Sequence, residues 1–234
     1  MSTPTDAKAL AAMHLLQFTD STFPVGTFSF SNGLETAGFE GIVHDADTLR
    51  AFTASQAMQA AFSDGVAAIH AHRAFLRGDY EAVADADRML MLFKMNAEAR
   101  LMLQRMGKKL AELVSHLFDS DIIARWLQEI KEEKVPGTYP VGQGIAYAAA
   151  GVDEESLFCA HQYGVINMVL SAALRCVRVS HYDTQKILFD LSKRTADLYR
   201  EAASMKLEDM NAFFPQLDIL ASLHEKGQMR MFMN

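Results

Sequence analysis

The sequence FTDSTFPVGTFSFSNGLE, residues 18–35, combines aromatic and turn-forming residues more densely than any other part of the chain. The preceding residues 7–18 carry apolar side chains at helical spacing, and Asp20 and Ser21 then interrupt that pattern. We therefore predict a corner in which one helix ends and a second helix begins shortly afterwards.

Within this corner, Pro24 and Gly26 restrict the backbone in different ways. Pro24 fixes its own φ and favours an extended residue before it, whereas Gly26 can adopt a positive φ. We expect Ser29 or Ser31 to cap the following helix, and Glu35 to lie in its first turn, where a carboxylate offsets the positive helix end. Three aromatic residues should anchor the corner to a core: Phe23, Phe28 and Phe30.

Helical periodicity continues through most of the chain, and β alternation of useful length is absent. The predicted helices cover residues 47–62, 64–76, 80–117 (one helix, or two joined near Asn96 or Gly107), 119–133, a short segment through 145–150 after a loop at 135–142, 157–179, 185–205 after a cap at Asp183, and a last helix from Pro215. The helix at 157–179 is apolar almost all round and should be the buried centre. The sequence thus predicts an all-α fold, a single-domain helical bundle of about ten helices over residues 1–234, with flexible tails at 1–6 and 228–234.

The composition excludes several classes of protein. The chain has 22 Lys and Arg against 29 Asp and Glu, a net charge of -7, which argues against nucleic acid as a partner. No apolar run reaches the ~20 residues that a membrane helix needs, and residues 1–8 lack the pattern of a signal peptide. We expect a cytoplasmic protein with no membrane partner, in which Cys159 and Cys176 are reduced and buried.

The sequence also lacks the common nucleotide-binding and hydrolytic motifs. Around Gly107 and Lys108, Met102 takes the place of the first glycine of the Walker pattern, and Lys109 takes the place of its Ser or Thr. The dinucleotide-binding, zinc-protease and nucleophile-elbow patterns are absent as well. We therefore expect no catalytic residue and no cofactor bound by this chain alone.

The histidine and acidic residues do not suggest a metal site. Residues 70–72 (His-Ala-His) and 159–161 (Cys-Ala-His) place two metal-ligand types two positions apart, and on a helix such side chains point in different directions. We expect no metal site, and we expect the acidic residues of the polar segments to face solvent: Asp85, Asp87, Glu132 and Glu133.

Four ordered segments resemble the UreF family of urease accessory proteins. The first is residues 15–36, which include the opening corner. The other three consist of Tyr139, Pro140, Val141 and Gly144; of Arg175, Asp183, Gln185, Lys186, Ile187 and Leu188; and of Pro215, Leu217, Asp218, Ile219, His224, Glu225, Arg230 and Phe232. The chain departs from the family pattern at Phe30, where a histidine is usual, at Asn32, where an aromatic residue is usual, and near Thr138, where a histidine is usual.

The resemblance implies a non-catalytic, all-α, dimeric chaperone for maturation of a nickel metalloenzyme. Such a protein binds a second accessory protein, UreD or UreH, and recruits the GTPase UreG for nickel insertion into apo-urease. Nickel and GTP would then be handled mainly by the partners. Two alternatives remain open: a direct GTPase-activating protein that contributes Arg175 to the UreG site, and a stand-alone helical enzyme with an undetected pocket.

The resemblance also supplies the candidate partner-binding residues. They are Asp20, Ser21, Pro24, Gly26, Phe28, Ser29, Gly33, Glu35, Arg175, Asp183, Gln185, His224, Glu225, Arg230 and Phe232. We further hypothesise that the C-terminal tail becomes ordered on the UreD-type partner, with Phe232 in an apolar pocket and Arg230 paired with a carboxylate. Arg175 and Asp183 could equally form a buried pair or cap, or face the GTPase.

Overall fold

The structure, a computed structural model, describes residues 4–26, 30–211, 214–224 and 231–232. Over these residues it is all-α, as predicted, and contains no strand. Twelve α-helices follow one another: α1 Pro4–Thr19, α2 Leu34–Phe39, α3 Ala46–Ala60, α4 Val66–Leu76, α5 Tyr80–Leu92, α6 Ala97–Leu117, α7 Asp121–Lys131, α8 Tyr139–Ala149, α9 Glu154–Cys176, α10 His181–Ser192, α11 Thr195–Ser204 and α12 Pro215–His224.

The opening corner has the predicted form but a different cap. Gly26 has a φ of 88°, and Gly33, with a φ of 79°, is the N-cap of α2. The N-cap is therefore Gly33, and Ser31 does not occupy the capping position predicted for it. Ser29 and Phe28 lie outside the described residues. Phe30 is buried as predicted, and Phe23 packs against the core.

The helix boundaries follow the predicted order, with two corrections and one predicted junction confirmed at Asn96. The expected break between 62 and 64 is absent, because a π-helical turn at Ala61–Gly65 joins α3 to α4. Asn96 is the N-cap of α6 and separates it from α5. Of the two junctions predicted in this region, Asn96 is therefore correct and Gly107 is not. The loop predicted at 135–142 ends at Thr138, since α8 already begins at Tyr139 with Pro140 in its first turn.

The predicted helix at 185–205 is two helices. Ser180, rather than Asp183, is the N-cap of α10, and Asp183 completes a capping box with it. The chain then leaves the helix after Ser192 and begins α11 at Thr195. The helix from Pro215 is present as predicted.

Two clusters of buried apolar side chains form the core. The first is built around α4, α8 and α9, and the second joins α2, α3, α9, α10 and α12. The central helix α9 contributes to both, but it is not buried all round, because Cys159, Tyr163 and Arg175 are exposed. The expectation of a buried Cys159 is therefore wrong. α9 is long and apolar enough to cross a membrane, yet 56% of its most apolar window is buried in the protein, as in a core helix.

The prediction that Asp87 faces solvent is wrong. Its carboxylate is fully buried and accepts hydrogen bonds from the Trp126 indole, the Gly137 and Thr138 backbone N–H groups and the Thr138 hydroxyl, at 2.6 to 3.1 Å. Burial raises the pKa of Asp87, and these four donors counter that effect. Asp87 therefore fixes the turn that begins α8, whereas Asp85 is exposed as predicted.

Parts of the two predicted tails lie in ordered positions of the structure: an exposed helical turn and a buried aromatic residue. Residues 4–6 belong to the first turn of α1, and Phe232 lies in the second core cluster with an exposed fraction of 6%. Flexibility of residues 1–6 and 228–234 stays a prediction for the remainder of those ranges.

Candidate functional site

Glu35, Glu98 and His224 form a buried polar cluster where α2, α6 and α12 meet. His224 Nδ1 lies 2.9 Å from Glu98 Oε2, and its Nε2 lies 3.1 Å from Glu35 Oε2. The His224 side chain is only 3% exposed. Because each ring nitrogen faces a carboxylate oxygen, both can donate a proton only when the imidazole is in its charged form. This cluster ties α12 to two other helices.

The last described residues close onto the same carboxylate. Glu35 Oε1 accepts a hydrogen bond from the backbone N–H of Met231 at 2.8 Å, and Glu35 Oε2 accepts one from that of Phe232 at 3.2 Å. The Phe232 ring is buried, and the Arg175 guanidinium carbon lies 5.4 Å from its centroid. We call the set Glu35, Glu98, Arg175, His224 and Phe232 the C-terminal clasp.

Local sequence explains how the clasp is positioned. Gly33 takes a left-handed conformation that begins α2, and a Cβ at this position would lie 3.1 Å from the Ala221 backbone nitrogen on α12. A residue without a side chain is therefore required for both the φ and the close approach. Glu35 follows in the first turn of α2, which directs its carboxylate towards α12 and the C-terminal residues.

The clasp thus brings together several predicted site residues that are far apart in the sequence, namely Glu35, Arg175, His224 and Phe232, with Gly33 packed beside them. Phe232 fills an apolar pocket of its own chain. Ordering of the C-terminal tail on a UreD-type partner stays a hypothesis. Arg230 and Glu225, the other C-terminal candidates, lie outside the described residues.

The segments that form the clasp also carry exposed apolar side chains. On α12, Ile219 and Leu223 are four residues apart and are 57% and 48% exposed. Met231, next to Phe232, is 59% exposed, and Leu101 lies one turn after Glu98 on α6 and is 46% exposed. We call Leu101, Ile219, Leu223 and Met231 the clasp-side apolar residues. Exposed apolar groups of this kind commonly mark protein interaction sites when they are grouped.

The candidates of the opening corner lie in a separate place. Asp20 accepts hydrogen bonds from the backbone N–H and the hydroxyl of Thr22, which lowers the pKa of its carboxyl. Asp20 and Ser21 line a groove of about 80 Å³ beside α9, whereas Pro24 is exposed and Gly26 is half-buried. These residues shape a turn at the surface rather than a site with chemical groups converging on a ligand.

Asp183 and Gln185 belong to neither region. Asp183 is hydrogen-bonded to the Ser180 backbone N–H and hydroxyl, which lowers its pKa, and Gln185 is exposed on α10. The possible pairing of Arg175 with Asp183 is not seen; Arg175 faces Phe232 instead. The role of Asp183 in the structure is that of a capping residue.

Glu98 is the clasp residue that sequence reasoning missed. It lies in the first turn of α6, and its partner His224 is 126 residues away. An acidic residue at the start of a helix is fully explained by the helix dipole, so no local signal distinguished it.

The described residues contain no group of three or more His, Cys, Asp and Glu side chains able to hold a metal ion. His70 and His72 each contact a backbone carbonyl, of Met205 and Val152 respectively. Their expected divergence on the helix is therefore confirmed.

Comparison with known proteins identifies close relatives over nearly the whole chain. Residues 43–192 match the UreF family. Urease accessory protein UreF 2 of Brucella canis is 50% identical over 222 residues, which cover 95% of this chain and 91% of that protein. UreF 1 of Brucella melitensis is 49% identical with 95% and 92% covered, and UreF of Yersinia pseudotuberculosis is 42% identical with 95% and 97% covered.

Proposed function

The chain belongs to the UreF family of urease accessory proteins, and from that premise we propose that it is a non-catalytic maturation factor for urease. In this proposal it binds a UreD/UreH-type accessory protein and recruits the UreG GTPase, so that nickel is inserted into apo-urease. It works in the cytoplasm as a homodimer, and nickel and GTP are handled mainly by its partners.

The observation that carries this proposal is the C-terminal clasp with its neighbouring apolar residues. In the clasp, the buried His224 side chain, two carboxylates and an aromatic ring hold the C-terminal residues against α2 and α12. The side chains that it presents outwards, Ile219, Leu223 and Met231, are apolar and exposed. Exposed apolar side chains on a segment fixed by hydrogen bonds suit recognition of another protein, because their burial on binding is favourable and less ordering entropy is lost.

We assign this surface to the UreD-type partner, and two substitutions on α12 test the assignment. Leu223→Glu places a charge on the apolar surface, whereas Ser222→Glu places the same charge at the adjacent exposed position. Leu223→Glu should abolish copurification with the UreD-type partner and urease activation in cells lacking the native protein, with an unchanged circular dichroism spectrum. Ser222→Glu should leave both nearly intact. If the two variants lose or retain copurification and urease activation equally, the UreD-type partner does not bind at Leu223.

The GTPase-activating alternative is tested separately. Arg175 is exposed, but its guanidinium already lies over the Phe232 ring, so a direct catalytic role in UreG would require it to leave the clasp. GTP turnover by UreG should be measured with this protein added alone. A rise that is lost in Arg175→Ala would favour the alternative, whereas unchanged turnover favours recruitment.

A further inference from the structure

Two aromatic rings on α10 lie in solvent. Tyr182 is 89% exposed and Phe189 is 69% exposed. The buried side chains of this helix, those of Thr184 and Ile187, project from its opposite side. The two rings therefore add nothing to the core, and large aromatic side chains that are left in solvent on one helix face are typical of surfaces that bind another molecule.

Two lysines share this outward face with the rings. An α-helix turns by ~100° per residue, so Tyr182, Lys186, Phe189 and Lys193 fall within an arc of about 60° and span ~16 Å along the axis. Lys193, the C-cap of α10, keeps a helical backbone conformation. Its side chain is 61% exposed, and Nζ lies 4.7 Å from the centroid of the Phe189 ring. We call these four residues the α10 stripe.

The sequence around the stripe is positively charged, in contrast to the chain as a whole. Residues 175–194 contain five Lys and Arg against two Asp, whereas the full chain has 22 Lys and Arg against 29 Asp and Glu. Arg178 and Arg194, which flank α10, are both exposed. This part of the surface therefore attracts negative charge although the protein carries a net charge of -7.

The two aspartates of α10 are already engaged by groups of their own chain. Asp183 accepts hydrogen bonds from the backbone N–H and the hydroxyl of Ser180, and Asp190 pairs with Arg50 and Lys193. Lys186 is exposed and makes no salt bridge with any residue that the structure describes. The stripe therefore offers at least one unpaired ammonium group beside two exposed rings.

We propose that the α10 stripe docks an acidic amphipathic helix of another protein. Carboxylates of that helix pair with Lys186 and Lys193, and its apolar side chains cover Tyr182 and Phe189. A second copy of this chain docked through the same stripe would bring lysines against lysines, which is unfavourable. A phosphate backbone would meet the net charge of -7 along its length, whereas a short acidic helix needs only the local positive charge. The inference goes beyond the proposed function and does not rest on the assignment of the clasp-side apolar residues.

The test measures binding of three labelled helical peptides to the full chain by fluorescence anisotropy. The peptides have equal length and the same row of leucines, flanked by Glu, by Gln or by Lys. The Glu–Leu peptide should bind saturably and about tenfold or more tightly than the Gln–Leu peptide, and the Lys–Leu peptide should not bind. High salt should weaken the Glu–Leu complex, because the charge pairs lie at the surface.

Substitutions on the stripe have matched controls elsewhere on the surface. Lys186→Glu and Phe189→Ala should each weaken binding of the Glu–Leu peptide by about fivefold or more. Lys108→Glu, at an exposed lysine of α6, and Phe39→Ala, at a ring that is 86% exposed, should leave it unchanged. All four positions are exposed, so circular dichroism spectra and melting temperatures should stay close to those of the native protein.

Other outcomes overturn the proposal in distinct ways. No binding of the Glu–Leu peptide, or equal affinity for it in the stripe variants and their controls, would show that the stripe is not a docking site for acidic helices. Tighter binding of phosphatidylserine vesicles or of oligodeoxythymidine, lost in Lys186→Glu, would assign the stripe to a membrane or to nucleic acid. Self-association in sedimentation velocity that is lost in Lys186→Glu would assign it to a second copy of the chain. The peptides are measured without UreD or UreG, so these results are separate from those of the copurification test.

Discussion

Glu35 and His224 are 189 residues apart in the sequence, yet Glu35 Oε2 and His224 Nε2 are separated by 3.1 Å in a buried contact. The same Glu35 carboxylate accepts the backbone N–H groups of Met231 and Phe232. One side chain from the opening corner therefore organises the C-terminal end of the protein.

Replacing Glu35 by Ala should destabilise the fold by about 3 kcal/mol or more, because His224 Nε2 and the backbone N–H groups of Met231 and Phe232 lose their hydrogen-bond partner. Glu40→Ala, at an exposed position just after α2, is the control and should change the free energy of unfolding by less than ~0.5 kcal/mol. Chemical denaturation measures both. Amide hydrogen exchange of Phe232 should accelerate in Glu35→Ala alone, and unchanged exchange would show that Glu35 does not hold the C-terminal residues.

Phe232→Ala should cost about 3 kcal/mol or more, since a buried aromatic ring in the second core cluster is removed and Arg175 loses its contact. Met231→Ala is the neighbouring control, because Met231 is mostly exposed. Thermal unfolding of the two variants should separate them by several degrees. Similar melting temperatures would mean that Phe232 is not part of the core in solution.

Residue patterns in the sequence predicted the all-α fold and most helix positions, because apolar periodicity and helix-terminating residues are local signals. The predictions that were wrong or missing concern contacts between residues far apart in the sequence. Asp87 was expected in solvent because its neighbours are polar, and its burial depends on Trp126 and the loop at 137–138. Likewise, the family resemblance identified Glu35 and His224 as candidate residues. It did not identify Glu98, because the contacts of His224 with both glutamates arise only when α2, α6 and α12 pack together. The continuous π-turn at Ala61–Gly65 replaced a break because tertiary packing overrides local propensity.

The buried Asp87 can be tested against Asp85 on the same helix. Asp87→Ala leaves the Trp126 indole, two backbone N–H groups and the Thr138 hydroxyl without an acceptor, so we expect a loss of about 3 to 5 kcal/mol. Asp85→Ala removes an exposed side chain and should cost under ~1 kcal/mol. Urea denaturation with tryptophan fluorescence suits both, because the single Trp reports on the site. Equal costs would contradict the assigned role.

His161 should make the fold sensitive to acid. Its pKa is lowered to about 4 in the folded protein from an ordinary value of 6.5, because burial disfavours the charged ring. The unfolded chain therefore binds a proton that the folded chain does not, and stability falls as the pH decreases from 6.5 to 4, by up to ~1.4 kcal/mol per pH unit. The pKa of Asp64, the charged neighbour of His161, is also lowered in the folded protein. This lowering changes the pH dependence of stability only below about pH 3.8, the ordinary pKa of an aspartate, so it does not affect the window from 6.5 to 4.

His161→Gln removes this proton uptake, so the difference in unfolding free energy between the variant and the native protein should itself vary with pH across that window. Denaturation curves at several pH values measure it, and His44→Gln, at an exposed histidine, serves as the control. Parallel pH profiles for the native protein and His161→Gln would show that His161 is not held neutral by the fold.

Two helical glycines give opposite expectations for the same substitution. A Cβ at Gly107 on α6 would lie 2.0 Å from the Gly137 carbonyl oxygen and 2.6 Å from the Thr138 carbonyl carbon, both backbone atoms that cannot move without displacing the turn held by Asp87. Gly107→Ala should therefore destabilise by about 3 kcal/mol. A Cβ at Gly164 on α9 meets no atom within 4 Å, so Gly164→Ala should stabilise by up to ~1 kcal/mol through helix propensity. Denaturation midpoints of the two variants should move in opposite directions, and a shift of both in the same direction would refute the close approach of α6 to this turn.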